Sequence, residues 1–212
     1  MKFPKAKLII LILTFIYMIS LYVSKRLKEG RCNLSDNRHI HHLTIEKILV
    51  LHNEIRQKIV QENTASDKPG LIFPPASDMM EMVWDDNLSI KAQIIADRCD
   101  KVIPSLKNNI TIGENKIGEN IFMERTLDFS PNDMNWDNTV ANWYKESKKF
   151  KNGDLLKNYI FQKKTNNFSQ LIWAKTFQIG CGYSTFKKIK FLTKLYICLY
   201  GPTGIVDNQP IY

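Results

Sequence analysis

Four residue types in this 212-residue chain carry reactive or ligating chemistry in patterns worth reading: histidine, cysteine, acidic residues and glycosylation tripeptides. The four histidines lie at 39, 41, 42 and 52, and none follows. A general base for a Ser or Cys nucleophile must lie beside it in space, and His52 alone falls within a segment that reads as globular. Its helix also carries Ile48, Leu49 and Ile55, so a hydrogen-bonded structural histidine is expected there. His39, His41 and His42 have metal-ligand chemistry, but they sit in a polar stretch without periodicity, and a metal site needs ordered ligands with a second shell. No G-x-S-x-G, H-E-x-x-H or phosphate-loop pattern occurs.

The cysteines are Cys32, Cys99, Cys181 and Cys198. None forms C-x-x-C, which argues against a zinc knuckle or a thioredoxin-like site. An even number in an exported chain predicts two bridges, with three pairings possible. N-x-S/T tripeptides begin at Asn33, Asn87, Asn109 and Asn167, all candidates for N-glycosylation.

Export is read from the N-terminus. Lys2, Lys5 and Lys7 precede an uncharged run, Leu8 to Val23, and Lys25, Arg26, Lys28 and Arg31 follow it. A charged start and a short apolar run predict a signal peptide over 1–24, with an uncleaved membrane anchor displaying the protein as the alternative. A polar arm over 25–43, a single domain over 44–205 and a tail over 206–212 complete the expected division. The formal net charge of +9 suits a solvated face, with an anionic surface as a further partner class. Nucleic acid is not expected, because no binding motif is present. The expected state is a monomer.

The elements that must position these residues follow from periodicity. Ile45, Ile48, Leu49, His52, Ile55, Arg56 and Ile59 predict a helix opening at Thr44, with Glu46 in its first turn. Residues 61–78 hold Asn63, Ser66, Pro69, Gly70, Pro74 and Pro75 and predict a loop. Val83 and Trp84 lead into Asp85 and Asp86, a helix start, after which Leu88, Ala92, Ile95 and Cys99 recur on one face. Residues 104–116 and 126–138 read as loops, and Ile117–Met123 reads as a strand. Short helices are expected over Val140–Phe150 and Phe168–Ala174. Two strands, Ile179–Phe186 and Phe191–Tyr200, join through a basic turn and carry Cys181 and Cys198, between which a cross-strand bridge is physically reasonable.

Six segments in order resemble the CAP superfamily of cysteine-rich secretory, antigen-five and pathogenesis-related proteins. They are Leu51–Arg56 (H-N-x-x-R), Val83–Leu88, Gly118–Ile121 (G-E-N-I), Trp143–Glu146 (W-x-x-E), Phe168–Ala174 with Ile179–Gly182, and Ile197–Pro202. Pro74-Pro75-Ala76 and the place of Cys32 are closest to the insect venom antigen-five type. The resemblance implies an α+β fold, a three-layer α-β-α sandwich with a central antiparallel sheet. It implies Cys32–Cys99 and Cys181–Cys198 pairing, and an open cavity that in many members holds two His and two Glu able to bind a divalent metal.

Mapped onto this chain, those cavity positions are Ile103, Glu119, Glu146 and Asn167, with Glu114 a rival for Glu119. Both histidines are replaced. Isoleucine cannot ligate a metal and asparagine lacks the imidazole nitrogen, so no metal or cofactor is expected. Two carboxylates alone leave a divalent-metal-assisted hydrolase built on Glu119 and Glu146 as the minor alternative. Ile205 replaces the asparagine that closes the last motif. The reading is a secreted, non-catalytic, venom-allergen-like protein that binds a sterol, a fatty acid or an extracellular protein. A glycan on Asn167 is expected to obstruct the cavity.

Overall fold

The computed structural model describes residues 12–20, 40–61, 64–65, 72–73, 76–99, 110–112, 115–127, 134–150, 157–188 and 190–212. Cys32, Asn33, His39, Ile103, Asn109 and Glu114 lie outside them. Residues 12–20 are helical with exposed side chains. Among the described residues no helix is long and apolar enough to cross a membrane.

The main helix α1 spans His42–Val60. It opens two residues before Thr44, because the carbonyl of His41 accepts the first helical bonds, from Thr44 N at 2.8 Å and Ile45 N at 3.0 Å. The predicted stripe is buried at Ile48, His52, Ile55, Arg56 and Ile59. Within the expected 61–78 loop, β1 (Thr64–Ala65) and β2 (Ile72–Phe73) pair antiparallel. β3 (Val83–Trp84) leads to α2 (Asp86–Ala96), whose cap is Asp85: its carboxylate accepts from Leu88 N at 2.9 Å. Leu88, Ala92 and Ala96 form the buried face, and Cys99 lies past the helix end at φ 55.

β4 (Ile110–Ile112) and β5 (Asn115–Thr126) follow, both extending into the segment that reads as a loop. The helix α3 spans Trp136–Lys145, four residues ahead of the sequence expectation. The Asn and Asp residues that look like loop chemistry are its N-terminus: Asn135 caps it, accepting from Asn138 N at 3.0 Å, and Asp137 sits in the positive first turn. A 3₁₀ turn over Glu146–Lys149 ends that segment. α4 spans Asn166–Leu171 and stops short of the predicted Ala174.

β6 (Gln178–Lys188) and β7 (Phe191–Gly201) complete a five-stranded sheet in the order β3-β6-β7-β5-β4. Its neighbours pair antiparallel except β3, which runs parallel to β6 at one edge, so the sheet is mixed rather than purely antiparallel. Cys181 and Cys198 lie directly opposite each other and are bridged. Cys99 is also in a disulfide, whose other half lies outside the described residues.

Two apolar layers flank the sheet. On one side α2 packs on Ile117, Phe186, Leu195, Ile197 and Leu199. The approach is close because Gly180 and Gly182 face the helix: a Cβ on Gly180 would lie 2.1 Å from Ser89 N, and one on Gly182 2.5 Å from Gln93 N. On the other side α1, α3 and α4 bury Trp136, Trp143, Phe168 and Leu171 against Cys181, Tyr196, Cys198 and Tyr200. The result is the expected α+β sandwich of three layers. The last residues pack onto it, with Ile211 buried and its carbonyl accepting from Ala174 N at 2.8 Å.

Candidate functional site

Strand alternation decides where the two candidate glutamates go. In β5, Asn120 pairs with Cys198 and belongs to the α1/α3/α4 side, whereas Glu119 pairs with Leu199 and belongs to the α2 side. Glu119 is half-buried, and burial alone pushes its carboxyl up to about 7. Glu146 stands at the end of α3 on the opposite side. Its Oε2 accepts from Asn167 N at 2.9 Å and Phe168 N at 3.2 Å, and its Oε1 from Asn167 Nδ2 at 2.9 Å. Burial raises its pKa, opposed by those hydrogen bonds and by Lys149. The carboxylate therefore serves the first turn of α4, where backbone N–H groups lack helical partners. It is committed to these bonds and is not free to serve as a ligand.

Asn167, in the position where the resemblance implies a histidine, is locked by the same contacts. Its backbone carbonyl also accepts from Asn120 Nδ2 at 3.1 Å. Asn120 is fully buried and donates to the Tyr200 hydroxyl at 3.2 Å. That hydroxyl lies 3.0 Å from His52 Nε2, and His52 Nδ1 lies 2.7 Å from the carbonyl of Ile48. A carbonyl only accepts, so Nδ1 carries the proton and Nε2 accepts from Tyr200. Burial pulls the His52 pKa down to about 4, with the bond to Ile48 opposing and nearby Arg56 reinforcing. His52 is thus a neutral structural residue with both nitrogens engaged.

The other polar members of the H-N-x-x-R segment are also structural. Asn53 pairs with the backbone of Met82, accepting its N–H at 2.8 Å and donating to its carbonyl at 3.2 Å. Arg56 is buried and uses all five N–H donors on carbonyls: Nε on Met80 at 2.7 Å, and the two terminal nitrogens on Leu171, Trp173, Ala174 and Thr176 at 2.9–3.0 Å. Burial lowers its pKa to about 10, which leaves it charged at neutral pH.

A metal does not fit these residues. Glu146 and Asn167 satisfy each other, Glu119 lies across the sheet, and neither imidazole is present. Among the described residues no three His, Cys, Asp or Glu side chains converge on a point that could hold an ion. Beside Glu146 there is a small cleft of about 370 Å³, reaching Phe122, Met123, Trp143 and Lys149.

A larger groove, about 1000 Å³, lies between α1 and residues 79–84. Leu49, Val50, Val60, Met79, Met80, Met82, Val83 and Trp84 make its apolar surface, and Glu46, Glu54 and Glu81 its acidic rim. Val50, Met80 and Val83 are 53%, 44% and 49% exposed. Sequence reading missed this groove, because it is made by two segments some thirty residues apart whose approach Asn53 and Arg56 enforce. The signal present was the cluster Met79, Met80 and Met82, three of the chain's seven methionines.

A three-layer sandwich in which the H-N-x-x-R, G-E-N and W-x-x-E segments meet through one hydrogen-bond network defines a secretory-protein domain class. The model of the cysteine-rich secretory protein family, CAP, matches residues 49–200, and the chain belongs to this family. Venom allergen 5 of Tityus serrulatus is 36% identical over 167 residues, which are 78% of this chain and 38% of that protein. Venom allergen 5.02 of Vespa crabro is 34% identical over 166 residues, 78% of each chain. This chain therefore spans well under half the length of the Tityus serrulatus relative. The solved structure of BmVAL-1 superimposes with a TM-score of 0.65 at 21% identity, covering 83% of this chain and 84% of that one, and shares the fold.

Proposed function

We propose that the chain is a secreted, non-catalytic, venom-allergen-like CAP protein that acts by binding, and that its principal partner is an extracellular protein. The carrying observation is the groove between α1 and residues 79–84, apolar in its surface and acidic at its rim. Exposed apolar surface bordered by polar groups marks interaction sites. Methionines adapt their shape to different partners, which suits recognition of protein side chains. Glu46, Glu54 and Glu81 favour a partner with basic and apolar side chains and disfavour a fatty acid or an anionic surface at this place. A neutral sterol is the second reading, because the apolar surface accepts it without a charge conflict. The family assignment and the venom-allergen relatives support an extracellular setting. The commitment of His52, Glu146 and Asn167 to structural bonds supports a role without catalysis.

Calorimetric titration with a lysine-rich amphipathic helical peptide and, separately, with cholesterol tests this. The expected result is saturable peptide binding that weakens as salt rises and is lost in Val50→Lys or Glu54→Lys. Peptide binding unchanged in those variants overturns the groove. Saturable cholesterol binding without peptide binding overturns the protein reading in favour of the sterol.

A further inference from the structure

The fold discriminates between the two glycosylation tripeptides it describes. We infer that Asn87 carries an N-linked oligosaccharide and that Asn167 does not. Asn87 lies in the first turn of α2 and is exposed, on the rim of a cleft of about 350 Å³ with Ile117, Phe177 and Pro202. A glycan rooted there projects into solvent and leaves the fold intact. Asn167 is half-buried, and its Nδ2, backbone N and carbonyl bond to Glu146 Oε1, Glu146 Oε2 and Asn120 Nδ2. A sugar replaces one of the two Nδ2 hydrogens, and it must fit into the cleft of about 370 Å³ that Asn167 lines with Phe122, Met123, Trp143 and Lys149, crowding the Glu146 contact.

The reaction transfers an oligosaccharide from a lipid-linked diphosphate donor. A bond forms between the sugar C1 and Asn87 Nδ2, the C1–O bond to the diphosphate breaks, the amide gives up one proton and the lipid diphosphate leaves. The Ser89 hydroxyl donates to the Cys181 carbonyl at 2.9 Å in the folded protein. Transfer therefore precedes docking of α2 on β6, and the fold then retains the glycan that it tolerates.

This inference rests on export of the chain. The full chain is expressed in eukaryotic cells and harvested from the medium and the secretory compartments. N-glycans are released by amidase in heavy-oxygen water, and peptides are mapped by mass spectrometry. The expected result is labelled aspartate at position 87, no label at 167, loss of the position-87 label in Asn87→Gln and its retention in Ser89→Thr. An unlabelled Asn87, or a labelled Asn167, in chains with an oxidised Cys181–Cys198 pair overturns the inference. A reduced pair counts against export itself, so the two failures are distinguishable.

Discussion

The hydroxyl of Tyr200 and the imidazole of His52 meet at 3.0 Å across 148 residues of chain, joining α1 to β7. Tyr200 donates to His52 and accepts from Asn120, so this one oxygen links three of the chain's motifs. Tyr200→Phe leaves His52 Nε2 and one Asn120 hydrogen without that partner in a fully buried setting. The expected cost is about 2 kcal/mol, since an unsatisfied buried polar group costs ~1–3 kcal/mol. Urea unfolding of the single variants and of the double variant with His52→Leu measures it. A strongly non-additive cycle is expected, and additive single effects would show that the bond contributes nothing.

Among the described residues no carboxylate pairs with the buried Arg56, and five carbonyls take that role. Lysine keeps the charge but has three donors on a flexible stem and cannot reproduce the planar fork. Arg56→Lys removes at least two of the five side-chain bonds, although Trp173 and Ala174 also accept from the backbone of Thr176 and Met80, and the expected loss is about 3 kcal/mol, at ~1.5–3 kcal/mol for each hydrogen bond to a charged group. Thermal unfolding reads it out. A melting temperature equal to that of the unsubstituted protein rules out the five-carbonyl cradle as a major source of stability.

Buried His52 and half-buried Glu119 make opposing contributions to the pH dependence of stability. His52 has a folded pKa of about 4 against an ordinary 6.5. The unfolded chain takes up a proton there that the folded chain refuses, so this contribution is present above pH 6.5 and is lost as pH falls toward 4. Glu119 has a folded pKa of about 7 against an ordinary 4.5. The folded chain keeps a proton that the unfolded chain releases, so its contribution is present below pH 4.5 and is lost as pH rises toward 7. Glu146 acts in the same direction as Glu119. Between pH 4.5 and 6.5 the effects oppose. In Glu119→Gln the His52 effect is less opposed, and stability is expected to rise with pH more steeply than in the unsubstituted protein. The bound for one proton is about 1.4 kcal/mol per pH unit. Urea midpoints at three pH values across the window decide; identical slopes for the two proteins would remove Glu119 from the balance.

Local chemistry was legible where it coincided with periodicity. The stripe of α1, the Asp85 cap of α2 and the pair β6–β7 follow from residue spacing, and the order of motifs carried the family and the sandwich. The start of α3 was hidden because Asn135 and Asp137 serve equally as loop residues and as helix-entry residues. Periodicity alone does not choose between these uses. The role of Glu146 was hidden because its partners, Asn167 and Phe168, lie beyond a long connection. Glu119 and Asn120 are adjacent in sequence, yet they belong to opposite faces of the sheet, and only pairing with β7 shows which face each occupies.

The His52–Tyr200 contact also has a consequence for how the chain is made. During synthesis the first helix emerges long before the strand that completes it. His52 must wait for β7, and Arg56 must wait for the carbonyls of residues 171–176. Until those residues have been delivered, both polar groups lack these partners and are served by water. Contacts of such long sequence separation slow the search and prolong the exposure of apolar surface. The distance between the first motif and the last thus sets how long the inward face of α1 stays hydrated during synthesis.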